Sequence, residues 1–270
     1  MRINLLLLLI LVSPMALAQD CVNCSAQEIV VEGRRYPWPL ELIEIEHVDL
    51  PRSSRASFCR RPTEMLDTIV IHHTAGNETR TPQDINRLHM NQGSPSDPWL
   101  MAGYTYFVNS SYGGNNNIRP RVTEGRPIDI VGAHAGSDIF MPMNKQQKEL
   151  WDKGAVTCGR EGGRFTVDPS LVRNGQIKAN VSTIGVAVIG NYAPFSRRNP
   201  SGYSRRHPRY PTTQTLMMLG RLSCQLQRQY PNLKSIKWHS YYHSTECPGT
   251  IKNYINQIKT IAGGLGCEFN

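Results

Sequence analysis

An unbroken apolar run at residues 184–189, Ile-Gly-Val-Ala-Val-Ile, is the feature of this chain that most constrains its fold. A strand without polar alternation is covered on both faces, as in parallel sheets that have helices packed on each side. Residues 67–71, also short and rich in Ile and Val, predict a second buried strand. Residues 104–109 and 236–239 predict two more. The core is therefore expected to form around a sheet of buried strands.

Three helices are predicted among these strands. The first covers about residues 82–91, with Thr81 as its cap and a proline in the first turn. The second covers residues 213–230, where leucines recur at helical spacing and Pro231 ends the pattern. The third covers about residues 251–261. Strands that alternate with helices predict an α/β fold, in which a central mixed, largely parallel β-sheet is flanked by helices.

Other stretches of the chain lack such periodicity. Residues 137–179 contain many Gly, Arg and Lys residues and are predicted to form an inserted loop region. The segment 110–117 is rich in Gly and Asn, which tolerate positive φ, and predicts a turn or loop. Four Asn-X-Ser/Thr sequons, one of them at Asn180, are interpreted as chance occurrences.

The first 18 residues have the pattern of a signal peptide. A short positive start precedes an apolar run at residues 5–12, and Ala-Leu-Ala at 16–18 offers a cleavage site. The run is shorter than the roughly 20 apolar residues that a membrane span needs. We therefore expect an exported protein, periplasmic or secreted, without an integral membrane segment. Residues 19–62 are irregular in composition and are interpreted as an N-terminal extension.

Export gives meaning to the seven cysteines, because oxidising compartments favour disulfides. An odd cysteine in an exported protein requires an explanation. If Cys247 binds a metal, six cysteines remain and three bridges become possible. Six cysteines allow 15 pairings, and the sequence does not choose among them.

The formal charge of +9 favours anionic partners, because a basic surface raises their encounter rate. No recognition helix for nucleic acid is evident, so an anionic cell-wall polymer or lipid is the expected partner. A merely soluble basic surface is the alternative interpretation. The protein is expected to act as a monomer.

Two separated segments carry candidate metal ligands. One places His72 and His73 at the end of a predicted strand, and the other contains His239, His243 and Cys247. Two imidazoles and one thiolate make a three-ligand zinc site, and catalytic zinc keeps its fourth position open for water or substrate. The residues alone leave two choices open, between His72 and His73 and between His239 and His243.

These segments belong to a series of short motifs that occur in a fixed order. The motifs are Ile-Val-Ile-His-His-Thr-Ala at 69–75, His89-Met90, Gly-Tyr-Thr-Tyr-Phe at 103–107, Glu-Gly-Arg at 124–126, Gly-Ala-His at 132–134, Ser-Thr-Ile-Gly-Val-Ala-Val-Ile-Gly-Asn-Tyr at 182–192, and the segment 239–249. The ordered set resembles the zinc-dependent N-acetylmuramoyl-L-alanine amidases, a family shared by phage amidases and peptidoglycan recognition proteins. The resemblance implies a peptidoglycan recognition protein-like amidase fold over residues 63–265.

The resemblance also implies a ligand set. His72, His239 and Cys247 would hold zinc, with water in the fourth position. The family's histidine lies eight positions before its cysteine, and His239 stands at that distance from Cys247. His73 and His243 are then expected to support the ligands or to face the substrate.

By similarity, Tyr104 and Thr245 complete the catalytic group. Tyr104 is expected either to position the water or to donate to the developing oxyanion, and Thr245 to add a second hydrogen bond there. His134 and His73 are expected to contact the substrate, peptidoglycan or its muropeptide fragments. The alternative for His134 is a buried structural histidine with its hydrogen bonds satisfied inside the protein. The implied reaction is metal-assisted hydrolysis of the amide between N-acetylmuramic acid and the L-alanine of the stem peptide. The inserted region 137–179 is expected either to roof the substrate cleft or to form a structural flap.

One residue departs from part of the family. Some bacterial relatives carry a glutamate as a base candidate where this chain has Ala187, so the general base stays unassigned. Glu246, which adjoins a ligand, is expected to point to solvent. The alternative function is non-catalytic peptidoglycan recognition. Such relatives typically lack the cysteine ligand, so the presence of Cys247 favours the enzyme.

Overall fold

A computed structural model describes residues 28–31, 34–37, 43–94, 97–109, 121–136, 138–194, 202 and 209–270. The predicted signal peptide, the cysteines Cys21 and Cys24, and the predicted loop 110–117 lie outside these residues. The chain divides into two compact units, Met1–Pro39 and Leu40–Asn270. In the first, strands β1 (Glu28–Val31) and β2 (Arg34–Pro37) form an antiparallel pair.

The second unit contains the remaining elements. Its strands are β3 (Ile45–His47), β4 (Ser57–Arg60), β5 (Thr68–His73), β6 (Gly93–Ser94), β7 (Asp97–Pro98), β8 (Tyr106–Asn109), β9 (Arg121–Glu124), β10 (Phe140–Pro142), β11 (Thr157–Arg160), β12 (Val172–Arg173), β13 (Gln176–Lys178), β14 (Thr183–Ile189) and β15 (Ser235–Trp238). Its α-helices are α1 (Pro82–Met90), α2 (Lys145–Asp152), α3 (Ala179–Ser182), α4 (Thr213–Gln229), α5 (His239–Tyr242) and α6 (Ile255–Gly264). Three 3-10 helices cover Thr63–Met65, Pro169–Leu171 and Gly249–Tyr254.

Six strands form the central sheet, in the order β15-β5-β14-β8-β9-β3. The strands β15, β5, β14 and β8 run parallel, whereas β9 is antiparallel to β8. Every residue of β14 is buried, as the unbroken apolar run predicts. The predicted α/β fold with a mixed, largely parallel sheet flanked by helices is confirmed.

The register of the sheet decides which side chains share a face. Ala187 of β14 pairs with His72 on one side and with Phe107 on the other. Side chains at paired positions point the same way, and successive residues alternate. Ala187 and Phe107 belong to one core cluster with Ile85 of α1, so α1 covers this face. The helices α4 and α6 pack against each other and cover the opposite face.

The helix predictions hold with small shifts at the ends. In α1 the Thr81 hydroxyl accepts a hydrogen bond from the Asp84 amide, and the Asp84 carboxylate accepts one from the Thr81 amide. This reciprocal cap fixes the predicted start of the helix. The last helix begins as the 3-10 turn Gly249–Tyr254 before it becomes α6. The predicted strand 236–239 ends one residue early, and His239 begins the turn α5.

The prediction that residues 137–179 form loops is wrong. They contain α2 and a three-stranded sheet in the order β10-β13-β12, and β11 pairs with β4. Val156, Leu171 and Ile177 form a small core with Met65. Strands of two to four residues are too short to show periodicity in a sequence window, which explains the error.

This insertion packs beside the amino end of β5. The Gln147 side-chain amide donates to the Met65 carbonyl and to the Asp67 carboxylate, just before β5 begins. His72 lies at the other end of the strand. Of the two predicted roles, the structure favours the structural flap over the roof of a cleft.

Two disulfides connect distant parts of the chain. Cys59 and Cys158 join β4 to β11, and Cys224 and Cys267 join α4 to the C-terminal segment. Cys247 is buried and has a free thiol, in agreement with its exclusion from the predicted bridges. In the part of the chain that the structure describes, no helix combines the length and the apolarity needed to cross a membrane.

Candidate metal centre

Three of the predicted ligands meet at one edge of the sheet. His72 lies near the carboxyl end of β5, His239 directly follows β15, and Cys247 lies in the segment after α5. Because β5 and β15 are parallel neighbours, their carboxyl ends emerge side by side. The ligand atoms of the three side chains all lie within 4.8 Å of one another. The structure thus assembles the ligand group that the sequence predicts.

The two adjacent histidines of β5 point in opposite directions. His72 Nδ1 lies 3.6 Å from Cys247 Sγ. His73 Nδ1 instead accepts a hydrogen bond of 2.9 Å from the Tyr192 amide. Alternation along the strand thus places the ring of His72, and not that of His73, against Cys247.

His73 has a supporting position instead. Its backbone amide donates to Cys247 Sγ at 3.4 Å, and its side chain is only 4 % exposed. Although it lines the cavity described below, one ring nitrogen is already engaged by Tyr192. His243 is exposed, and its ring stacks on that of His239 at 6.4 Å between centroids.

The donor chemistry fits zinc. Burial lowers the pKa of His72 well below its usual value, and it lowers that of His239 to about 4, so both rings present lone pairs at neutral pH. Burial raises the pKa of the Cys247 thiol to about 12, so in the metal-free protein this group stays neutral until a cation displaces its proton. Tetrahedral zinc places nitrogen and sulfur ligands about 3.5 Å apart. The separation of 3.6 Å between His72 Nδ1 and Cys247 Sγ agrees with that value.

His134 lies behind His72 rather than on the cleft wall. His134 Nδ1 is 3.1 Å from His72 Nε2, and its own Nε2 is 3.4 Å from the Thr183 carbonyl oxygen. The side chain is 4 % exposed. This placement does not support the predicted substrate contact, because both ring nitrogens are used inside the protein. A motif match alone does not reveal on which side of a ligand a residue lies.

Two of the candidate ligands, His239 and Cys247, line a cavity of about 570 Å³, whereas His72 is fully buried. Tyr104, Thr245 and Glu246 contribute to its wall, and Glu246 is exposed as predicted while also facing the cavity. The complete lining is His73, Thr74, Ala75, Tyr104, Ala193, His239, Ser244, Thr245, Glu246 and Cys247. The cavity therefore brings both predicted catalytic residues to the metal ligands.

Tyr104 and Thr245 are placed as hydrogen-bond donors. The Tyr104 ring centroid lies 5.0 Å from that of His72. Burial raises the pKa of Tyr104, and a thiolate at Cys247 raises it further, so the Tyr104 hydroxyl keeps its proton whether or not Cys247 is ionised. The Thr245 hydroxyl accepts a hydrogen bond from the Cys247 amide at 3.3 Å, which leaves its own proton free to donate.

His89 has a structural role that the sequence did not suggest. Its Nδ1 accepts a hydrogen bond from the Gly103 amide at 3.0 Å. Its ring packs between Trp99 and Tyr104, with centroid distances of 5.4 and 5.3 Å. His89 thus fixes both the backbone and the ring at Tyr104. Its position at the end of a well-capped helix, within a matched motif, was the available signal.

Ala187 lies beside His72 in the register of the sheet. Its side chain points to the same face as His72, and it is fully buried. A glutamate at this position would direct a carboxylate toward the ligands, but the methyl group here has no proton-accepting chemistry.

Comparison with known proteins gave one family match. A family model described as N-acetylmuramoyl-L-alanine amidase matches residues 62–250, which contain all three candidate ligands. Comparison with curated proteins gave no significant match.

Several solved structures are similar to this chain. The endolysin and N-acetylmuramoyl-L-alanine amidase LysCS from Clostridium intestinale shares 22 % identity over 82 % of this chain and 97 % of its own, with a TM-score of 0.48. The Ph2119 endolysin from a bacteriophage of Thermus scotoductus shares 18 % identity over 73 % and 84 % of the two chains, with a TM-score of 0.41. Peptidoglycan recognition protein SD of Drosophila shares 18 % identity over 80 % and 94 %, with a TM-score of 0.47.

Proposed function

Because the chain belongs to the N-acetylmuramoyl-L-alanine amidase family, we propose that it is an exported zinc hydrolase acting on peptidoglycan. It cleaves the amide between the lactyl group of N-acetylmuramic acid and the L-alanine of the stem peptide. The observation that carries this proposal is the convergence of His72, His239 and Cys247 within 4.8 Å, with His239 and Cys247 at the wall of an open cavity. Three protein ligands leave a coordination position for the reaction, as catalytic zinc requires.

His72, His239 and Cys247 are the residues that would hold the metal. Bound zinc supplies Lewis-acid polarisation of the scissile carbonyl and acidifies water. The Cys247 thiol loses its proton on binding, and the amide of His73 donates a hydrogen bond to the sulfur. That bond supports the negative charge of the thiolate in its buried position.

The chain's own donors stabilise the charge that develops on the carbonyl oxygen. Tyr104 is suited to this role because it stays protonated and lines the cavity beside His72. Thr245 adds a second donor. Its hydroxyl oxygen accepts a hydrogen bond from the Cys247 amide, and its hydroxyl proton stays free to donate. Each oriented donor of this kind contributes roughly 3–4 kcal/mol to the transition state.

The proposal includes the organisation of the chain. Residues 1–18 form a signal peptide, 19–62 an extension, and 63–265 the zinc amidase domain, which acts as a monomer in the periplasm or outside the cell. Two disulfides among the described residues support an oxidising destination. The formal charge of +9 supports binding to an anionic wall polymer.

The test is to incubate the zinc-loaded mature protein with purified sacculi and to analyse the soluble products by mass spectrometry. We expect stem peptides that begin with L-alanine, lost on chelation and restored by zinc. A Cys247→Ser variant is the matched control and should release none. Binding of muropeptides without release from any wall type, in protein that holds one zinc, would instead identify a recognition protein.

A further inference from the structure

The two ring nitrogens of His72 have different surroundings. Nδ1 faces Cys247 Sγ at 3.6 Å, and Nε2 lies 3.1 Å from His134 Nδ1. A neutral imidazole carries one proton, so one nitrogen donates and the other accepts. The partner of His72 Nε2 therefore decides whether His72 Nδ1 offers a lone pair to a cation.

The direction of these hydrogen bonds is fixed from the far end of the network. The Thr183 hydroxyl donates to the Ala179 carbonyl at 2.6 Å, so toward His134 it presents only lone pairs. The Thr183 carbonyl, 3.4 Å from His134 Nε2, also only accepts. His134 Nε2 must therefore carry the proton of a neutral ring, and His134 Nδ1 is left as an acceptor.

The rings of His72 and His134 are 0 % and 4 % exposed, and among the described residues no carboxylate bonds to either of them. Because His134 Nδ1 is the acceptor, its contact of 3.1 Å with His72 requires the proton to lie on His72 Nε2. His72 Nε2 then donates to His134 Nδ1, and the lone pair of His72 Nδ1 points toward Cys247.

We propose that His134 is a positioning residue of the metal centre, which holds His72 in the tautomer and orientation that a cation requires. This inference rests on the zinc site proposed above. Partners of this kind, which accept the second ring proton of a ligating histidine, typically change metal affinity 10–100-fold when they are removed. His134 acts through His72 and not on the substrate.

The loop that carries His134 is held in place by the segment at the start of β14. The Asn180 side chain accepts hydrogen bonds from the amides of His134 and Ala135, at 3.0 and 2.7 Å, and donates to the Gly136 carbonyl. The Arg61 guanidinium donates in turn to the carbonyls of three residues in that segment. These contacts give His134 a fixed position before any cation arrives.

Gly185 provides the space for the His134 ring. A Cβ atom at this position would lie 2.9 Å from His134 Cγ and 3.1 Å from Nδ1. Any other residue in this strand would displace the ring from its contact with His72. The glycine within the otherwise bulky run of β14 therefore has a packing reason that is specific to the metal centre.

The decisive comparison is between His134→Leu and His134→Gln in the full chain. Leucine fills the space but accepts no hydrogen bond, whereas the glutamine amide can accept from His72 and donate to Thr183. We expect the zinc dissociation constant, measured by competition with a chromogenic chelator, to rise 10–100-fold for His134→Leu. It should return to within about threefold of wild type for His134→Gln. Gly185→Ala is expected to weaken binding like His134→Leu.

The thermal midpoint of each metal-free variant separates this role from a general loss of folding. A purely structural role would lower the midpoint and leave the zinc affinity of the folded fraction unchanged. Equal zinc affinity in wild type and His134→Leu would overturn the inference.

A second measurement does not depend on zinc or on activity. Nitrogen-15 NMR of labelled histidines in the metal-free protein should show the proton on Nε2 in both His72 and His134. A proton on Nδ1 of His72 would overturn the inference even if the protein proves to be an amidase. If the wild type binds zinc but releases no stem peptide, the proposed function fails, and the zinc-affinity comparison still decides the role of His134.

Discussion

His72 Nδ1 and Cys247 Sγ lie 3.6 Å apart although 175 residues separate them in the chain. His72 belongs to β5, which lies next to the edge strand β15, and Cys247 follows β15 in the chain. Their contact depends on the parallel arrangement of β5 and β15, which brings both carboxyl ends to one edge. The candidate metal centre is therefore a product of the sheet topology, and the proposed ligands can be tested separately from the fold.

Replacing Cys247 by Ser is expected to weaken zinc binding more than about 100-fold. Loss of a residue that only supports a ligand weakens it roughly 10–100-fold. A hydroxyl is similar in size to the thiol but is a much poorer zinc ligand. The measurement is metal content after dialysis, together with chelator competition. Ser244→Ala, which changes another lining residue, should retain one zinc. Full zinc content and full activity in Cys247→Ser would contradict the ligand assignment.

Replacing Tyr104 by Phe is expected to lower kcat about 10²–10³-fold, because one donor to the developing oxyanion is lost. The ring contacts with His72 and His89 survive in phenylalanine, so zinc affinity and thermal midpoint should stay near wild type. Steady-state kinetics on a soluble muropeptide would measure the change. A variant that keeps wild-type kcat would exclude the donor role.

Acid is expected to destabilise the metal-free protein partly through His89. Burial lowers the pKa of His89 from 6.5 to about 4, so between these values the unfolded chain binds a proton that the folded chain does not. Stability is therefore complete above the unfolded pKa and falls as pH decreases toward the folded one. Between about pH 7 and about pH 4.5 the loss from this residue is about 2 kcal/mol.

Urea unfolding of wild type and His89→Gln at both pH values would measure this contribution. The other buried histidines are present in both proteins. The difference between the two proteins in how the free energy of unfolding changes with pH therefore reports the contribution of His89. Parallel pH dependences would show that His89 is not responsible.

The contact between α4 and α6 predicts opposite effects for two glycines. A Cβ at Gly220 would lie 2.6 Å from Ile261 Cβ, whereas a Cβ at Gly263 would meet nothing within 4 Å. Alanine gains about 1 kcal/mol of helix propensity, but overpacking costs about 1–3 kcal/mol. Gly220→Ala should therefore lose about 1–2 kcal/mol of unfolding free energy. Gly263→Ala should be neutral or stabilising, and equal effects in denaturant titrations would contradict this packing account.

Local patterns that extend over several consecutive residues predicted most of the fold. The apolar run of β14, the capped start of α1 and the leucine spacing of α4 each extend over enough residues to show their period. The secondary structure of the insertion was missed because its strands are short. They depend on the disulfide between Cys59 and Cys158 and on contacts with Met65. Such contacts join residues far apart in the chain and leave no local pattern.

The candidate metal centre could also be predicted only in part. The family resemblance selected His72, His239 and Cys247, and the structure brings these three together. The position of His134 was not predictable, because the motif at 132–134 is compatible both with a ring that contacts the substrate and with a ring that supports a ligand. Its hydrogen bonds to His72 and Thr183 depend on the space above Gly185, which only the packed structure reveals.

The strand order has a consequence for the synthesis of the chain. Strand β5 emerges early, yet both of its neighbours in the sheet, β14 and β15, come from the later part of the sequence. Until they arrive, β5 is an apolar segment with two open edges, and contacts of such long sequence separation form slowly. A ribosome-bound chain truncated before residue 235 would lack one of these partners. Complete formation of the sheet therefore has to wait until residues 235–238 are available.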